Sequence, residues 1–340
     1  MRRTVLRTKS ANRHNKIEIR TYENYLQEDL SFTKCKSKEF LSAVSLGLNS
    51  RVKKIIKTGR CNLHIRDQDG GNAIHLAAQK NDTELLRIIC EKGVAAGLKK
   101  RSNPTVTPFL IAAKHGCKDS LEYLHNEARV DIHVRDSEGQ NATHYAAIGG
   151  NLQCFMYLIK NAKLKYKDCN TVNGNTVLHL ACQYGGFPIV RYACEVLQLD
   201  PHQYNYEGIS TLRLAVQNNN IRIVMYLVSV WNVNIFLPDD HGISPIAYAA
   251  SFELLFHIFE YFAEIVQSES LIEGDLLLSR SIDDPPLTPL KAAIKHRNEK
   301  VVQLIFEKTK NRRKLYVYWV SQKSHIMKKL SPEIIKNLCS

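Results

Sequence analysis

The stretch Asn72-Ala-Ile-His-Leu-Ala-Ala78 decides the fold of this 340-residue chain, because related copies recur along most of the sequence. Two clear copies are Asn141-Ala-Thr-His-Tyr-Ala-Ala147 and Thr176-Val-Leu-His-Leu-Ala-Cys182. With looser copies included, the phrase starts at positions 38, 72, 107, 141, 176, 210, 244 and 288. The spacing is 34 or 35 residues except for the last, which is 44. A fixed period of this length predicts an array of stacked repeats.

Each copy of the phrase has the properties of a short helix. Thr or Ser begins five of the eight copies, where its hydroxyl group can cap the helix. Pro108, Pro245 and Pro289 follow such a residue, in the first helical turn where no N–H is needed. A second apolar run with helical spacing follows each phrase, and turns such as Asp69-Gly70-Gly71 separate the units. The sequence therefore predicts two helices and a turn per repeat, stabilised by stacking on neighbouring repeats.

The phrase resembles the T-P-L-H-x-A-A signature of the ankyrin repeat family, from about Lys38 to Lys308. The resemblance implies an all-α ankyrin-repeat solenoid of stacked helix-turn-helix units with short loop or hairpin tips. We expect a basic, partly disordered N-terminal segment at 1–37, an array of eight repeats at 38–308, and a basic C-terminal capping helix or tail at 309–340.

Repeat seven departs most from the pattern, because no polar break separates its two apolar runs. An insertion near 260–285 then precedes repeat eight and carries seven acidic residues against one arginine. This acidic insertion is either a functional loop or a tolerated insertion on the surface.

The positive charge is concentrated at the two ends of the chain. Residues 1–20 carry seven Arg or Lys and one Glu (+6), and residues 308–340 carry nine and one (+8), which together give the whole net charge of +14. Basic ends on a neutral array indicate solvated tails, or tethers to nucleic acid or an acidic membrane. The candidate tether residues are Arg2, Arg3, Arg312, Arg313 and Lys314.

The thirteen histidines do not form a metal-binding or catalytic pattern. The family resemblance gives His75, His144 and His179, which occupy the same phrase position, a structural role. Zinc needs about four ligands that converge on one point, whereas histidines in the repeat register lie one layer apart. None of the HExxH, GxSxG, GxxxxGK[ST] or GxGxxG motifs is present. We therefore predict a protein that is not an enzyme and uses no cofactor or metal.

The resemblance implies that a partner protein binds the concave face, which consists of the loop tips and the exposed ends of the first helices. Binding energy usually concentrates in a few aromatic and arginine side chains. Tyr184, Tyr206 and Phe252 are therefore the leading candidates. The other candidate positions are Gln183, Glu207, Asn218, His241, Lys114 and His115.

Two further functions stay open from the sequence. One is binding of nucleic acid or acidic membranes through the tails. The other is an adaptor or secreted effector, delivered into a host cell, that recruits a modifying enzyme such as a ubiquitin ligase. The chain has no apolar run of 18 residues, and its nine cysteines lack CxxC spacing. These features favour the cytoplasm or nucleus, and we expect a monomer.

Overall fold

The computed structural model describes residues 38–58, 65–68, 70–91, 106–167, 170–268 and 288–308. Within these ranges the regular structure is helical, apart from one isolated bridge between Tyr204 and Ser210. The chain divides into two compact units, Met1–Asp136 and Ser137–Ser340. A pair of helices begins at each of the eight phrases, which confirms the predicted all-α fold.

Several predicted features lie outside the described residues, and for them the sequence-based expectation stands as a prediction. They are the segments 1–37 and 309–340, with the basic residues Arg2, Arg3, Arg312, Arg313 and Lys314, and residues 269–287 of the acidic insertion.

In the first unit, first helices pack on first helices and second helices pack on second helices. Residues 38–45 are the first helix of repeat one, and their Phe40 is fully buried, as Phe109 is in repeat three. Helix α2 contacts α4, and α3 contacts both α1 and α5. These helices are α1 (Asn49–Thr58), α2 (Ala73–Gln79), α3 (Thr83–Glu91), α4 (Pro108–His115) and α5 (Lys118–Asn126).

The second unit repeats this arrangement over five helix pairs. The first helices α6, α8, α10, α12 and α14 each pack on the next, because paired small residues such as Ala146 and Ala147 are fully buried and allow close approach. The pairs are α6 (Ala142–Gly149) with α7 (Leu152–Lys160), α8 (Val177–Tyr184) with α9 (Phe187–Glu195), α10 (Thr211–Gln217) with α11 (Ile221–Ser229), α12 (Pro245–Ser251) with α13 (Phe256–Ser268), and α14 (Pro289–Lys295) with α15 (Glu299–Lys308).

The second helices share a tyrosine that the sequence reading did not single out. It is the sixth residue of the second helix in repeats three to seven, and it is buried or half-buried. In two repeats its ring meets an aromatic ring of the preceding repeat edge to face, at 6.3 Å and 5.6 Å between centroids. The tyrosines therefore help to hold successive second helices together. They are Tyr123, Tyr157, Tyr192, Tyr226 and Tyr261.

A left-handed residue ends the first helix in every repeat except the seventh. In repeat seven, Glu253 occupies this position, Phe252 is extended (φ −123°, ψ 131°), and Glu253–Leu255 forms a 3-10 helix. The second helix α13 then has 13 residues, against nine in α9 and α11. Repeat seven, which lacks the polar break, therefore has a different turn between its two helices from that of the other repeats. The left-handed residues of the other repeats are Gly47, Asn81, Gly116, Gly150, Gly185, Asn219 and Arg297.

The phrase histidines close the N-termini of the first helices. The Asn72 side chain accepts hydrogen bonds from the N–H groups of Ile74 and His75, and the Asn72 N–H donates to Nδ1 of His75 over 3.3 Å. The Thr176 N–H donates in the same way to Nδ1 of His179. In both repeats the ring nitrogen Nδ1 therefore lies against the N-cap residue, 2.7 Å from Asn72 Oδ1 and 2.8 Å from Thr176 Oγ1. The contacts support the structural role that the family resemblance implied.

Burial holds both imidazoles in the neutral form. It lowers the pKa of His75 from 6.5 to about 4, against an opposing hydrogen bond to the Val106 carbonyl. It also lowers the pKa of His179 from 6.5 to about 4, against an opposing contribution from the backbone of Gln203 and Ile209. Each histidine therefore takes up a proton when the chain unfolds between pH 6.5 and 4, and the fold loses stability as the pH falls through this window.

We predict that urea unfolding, followed by circular dichroism, will show a loss of about 2 kcal/mol from each of His75 and His179 between pH 7 and pH 5. His179→Gln should remove the contribution of its own ring, so the second unit should lose less stability on acidification. His202→Gln, which changes an exposed histidine, is the control. Equal pH dependence in His179→Gln and the unmodified chain would contradict the assignment.

Candidate partner-binding surface

The loop tips of the second unit form a continuous row. Each tip is a tight turn with a left-handed glycine, and its backbone donates one hydrogen bond to the tip of the preceding repeat. This series of hydrogen bonds sets the spacing of the tips and aligns the side chains that they expose. The bonds run from the N–H groups of Val172, Tyr206 and Asp240 to the carbonyl oxygens of Glu138, Asn173 and Glu207, over 2.8, 3.1 and 3.1 Å.

Tyr206 is the main aromatic side chain of this loop-tip row, with 69% of its surface exposed. Its ring lies against Gly174, where an added Cβ atom would come within 2.6 Å of the ring. The close approach orients the ring, so a partner would meet it without first ordering it. Glu207, Asp240 and His241 are exposed beside it.

A second row lies at the carboxyl ends of the first helices, and we call it the helix-end row. Tyr184 is 54% exposed and Phe252 is 42% exposed. First helices of seven or eight residues separate this row from the loop tips by about 10–12 Å, at 1.5 Å per residue. The remaining predicted residues of the row are Gln183, which is half-buried, and Asn218, which is exposed. In the first unit, the predicted residues Lys114 and His115 are exposed at the corresponding end of α4.

The three aromatic residues predicted as one cluster are therefore divided between two rows. Tyr206 belongs to the loop tips, whereas Tyr184 and Phe252 belong to the helix ends. The repeat register predicted Tyr206 at a loop position and the other two at helix positions, and the structure adds the length of helix between the two rows.

Phe252 is part of an aromatic ladder, which we define as Arg213, Tyr248, Phe252 and His296. The Phe252 ring lies 5.0 Å from Tyr248 and 5.5 Å from His296 between centroids. The Arg213 guanidinium carbon lies 3.3 Å from the centre of the Tyr248 ring. The ladder thus links the first helices of repeats six, seven and eight through side chains alone.

Arg213 is the buried end of the ladder, with 7% of its surface exposed. It occupies the phrase position that holds histidine in repeats two, four and five, and Ala247 holds that position in the next repeat. Since alanine leaves room there, the arginine side chain can reach Tyr248. The sequence carried a signal for this contact, namely arginine followed one repeat later by alanine, but it was not recognised as a site.

The charge of Arg213 is only partly compensated. Its Nε lies 3.9 Å from the Asp239 carboxylate, makes no hydrogen bond, and Nη1 is 3.5 Å from the Gln217 side chain. Burial lowers the pKa of the guanidinium, whereas Tyr248 and Asp239 raise it. Asp239 also accepts hydrogen bonds from the N–H groups of His241 and Ile243, so one carboxylate serves the loop turn and the arginine.

The described residues contain no group of three or more His, Cys, Asp or Glu side chains arranged to hold a metal ion. Among the described helices, none combines the length and hydrophobicity needed to cross a bilayer.

A family model described as ankyrin repeats (3 copies) matches residues 40–136 and 109–205. The chain belongs to the ankyrin repeat family. Ankyrin repeats generally mediate protein–protein interactions, and the family is generally not enzymatic.

Curated relatives match parts of the array. Inversin of Canis lupus familiaris is 25% identical over 193 residues, which cover 55% of this chain and 17% of that protein. The E3 ubiquitin-protein ligase KEG of Arabidopsis thaliana is 36% identical over 80 residues, covering 24% of this chain and 5% of that protein. Alpha-latrotoxin-Lg1a of Latrodectus geometricus is 32% identical over 94 residues, covering 27% and 7%. The chain thus spans less than a fifth of each relative.

We predict that Arg213→Ala will destabilise the second unit by about 3 kcal/mol, because it leaves the Asp239 carboxylate buried without a cation. Asp239→Asn keeps an acceptor for the turn, as Asn205 does at the same position of the preceding repeat. Asp239→Asn should therefore reduce the free energy of unfolding less in Arg213→Ala than in the unmodified chain. Urea unfolding of the double-mutant cycle measures this coupling. Additive costs would show that the 3.9 Å pair does not contribute.

Proposed function

We propose that the protein is a non-enzymatic scaffold that binds a partner protein through the loop-tip row and the helix-end row of its second unit. The single observation that carries the proposal is the exposure of large aromatic side chains on both rows. Exposed aromatic residues on an otherwise well-packed unit are typical of binding hot spots.

The two rows offer different chemistry to such a partner. The loop tips present Tyr206 beside the acidic side chains of Glu207 and Asp240, and the helix ends present Tyr184 and Phe252. A partner that contacts both rows must span about 10–12 Å along the first helices, which suits one protein surface better than a small ligand. A monomer in the cytoplasm or nucleus remains part of the proposal.

The adaptor hypothesis has weaker support. The relative named as an E3 ubiquitin-protein ligase is matched over 80 residues and 5% of its length. An alignment of that size is explained by shared ankyrin repeats. The terminal segments that would recruit an enzyme lie outside the described residues.

We expect the combined variant Tyr184→Ala, Tyr206→Ala and Phe252→Ala to lose most of its partner capture while keeping its helical circular dichroism. Truncation of hot-spot residues typically costs more than 2 kcal/mol each, about a 30-fold loss in affinity. The measurement is cross-linking of the tagged chain in cell lysate, followed by mass spectrometry. Val196→Ala with Val230→Ala is the matched control, because both valines are 59% exposed at the ends of second helices. Equal capture by both variants would reject the two rows as the binding surface.

A second function is proposed for the tails, because they carry the whole net charge of +14. Binding of a single-stranded oligonucleotide, or of phosphatidylserine vesicles, should fall steeply between 50 and 300 mM salt. Replacing Arg2, Arg3, Arg312, Arg313 and Lys314 by Gln should weaken this binding, which fluorescence anisotropy or vesicle co-sedimentation would measure. Binding that depends neither on salt nor on these substitutions would show that the tails are not the binding site.

A further inference from the structure

We propose that the aromatic ladder and the lysines beside it bind an acidic segment of a partner protein that carries one large apolar side chain. This inference rests on the proposed function and adds to it the chemistry of the partner. It concerns the first helices of repeats six to eight and the turn of repeat seven.

The apolar part of the surface comes from the unusual turn of repeat seven. Where other repeats place a left-handed residue, this turn runs through an extended Phe252 and a 3-10 helix. Phe252 is left 42% exposed and Leu254 82% exposed, the latter being the most exposed large hydrophobic residue among those described. Tyr248 and His296 flank the Phe252 ring on the ladder. A large apolar side chain of a partner would cover these groups and be held by ring contacts.

The charged part of the surface is positive. Helices α10, α12 and α14 contain Arg213, Lys291 and Lys295 but no Asp or Glu. Two acidic residues near these helices already have cationic partners, since Glu253 pairs with Lys300 at 2.6 Å and the buried Asp239 pairs with Arg213. The surface around the ladder therefore favours carboxylates.

Arg213 lies at the buried end of the ladder and supports the aromatic part of this surface. Its guanidinium lies over the face of the Tyr248 ring, 3.3 Å from the ring centre, and pairs with Asp239 at 3.9 Å. The arginine therefore helps to hold the Tyr248 ring in place, while Lys291 and the exposed Lys295 attract the carboxylates of a partner segment.

Aromatic rings beside cations also suit single-stranded nucleic acid, so the two partners must be distinguished. A nucleic acid needs a cationic path along its whole backbone. Here the opposite ends of the same first helices carry Glu207 and Asp240 on the loop tips, which repel phosphates. A short acidic segment can stay on the ladder and avoid them, which favours a protein partner.

The test uses a fluorescein-labelled peptide with one Trp among six Asp and Glu residues, titrated with the full chain at about 150 mM salt, where long-range attraction to the tails is screened. We expect Lys295→Glu and Phe252→Ala each to weaken binding about tenfold in fluorescence anisotropy. Urea midpoints close to that of the unmodified chain establish that the variants are folded.

Lys165→Glu is the matched control. Lys165 is an exposed lysine of repeat four in the same unit, outside the ladder and outside both rows. Its replacement makes the same change of charge as Lys295→Glu, so it reports long-range attraction alone. Lys165→Glu should therefore change affinity less than about twofold. Equal losses from Lys165→Glu and Lys295→Glu would overturn the proposal in favour of general charge attraction.

Two further results would also overturn it. One is equal affinity for a peptide in which Ser replaces Trp, since the Trp ring would then make no contribution to binding. The other is displacement by an oligothymidylate that loses affinity in the same variants, since the ladder would then be a nucleic-acid site. If the peptide fails to bind while Phe252→Ala still reduces partner capture, only the acidic chemistry is wrong and the proposed function stands.

Discussion

The structure depends on burial of a small apolar face between successive first helices. A first helix of seven or eight residues is too short to be stable alone, so each one is held by its neighbours. Fully buried pairs such as Ala77 and Ala78 let the helices approach closely. This constraint explains why an alanine is kept at the sixth position of all eight copies, while the position of the third helical residue and the ends of the phrase vary.

The phrase histidine position shows what the constraint allows. With histidine, as at His75 and His179, the ring closes its own helix N-terminus and stays neutral. With arginine, as at Arg213, the side chain is too long for that role and reaches Tyr248 of the next repeat. One substitution therefore converts a local cap into a contact between repeats, at the cost of a buried and incompletely paired charge.

Repeat seven changes the exposed surface but keeps the packing of the first helices. Its first helix keeps a Ser244 cap and a proline in the first turn, so it packs like the others. Only the turn and the length of the second helix change, and this places Phe252 and Leu254 at the surface. Function in a repeat protein can thus vary at one turn while the shared helices hold the fold.

The sequence by itself determined the period and the helix pairs, because capping and apolar spacing act within a few residues. The structural use of the histidines came from the resemblance to the ankyrin repeat family. The sequence also selected Tyr184, Tyr206 and Phe252 as exposed. Only the tertiary structure showed how far Tyr206 lies from the other two along the first helices, and only it joined Arg213 to Tyr248. Such contacts connect residues one repeat apart, about 35 positions along the chain, and their geometry follows from how neighbouring helices pack rather than from local pattern.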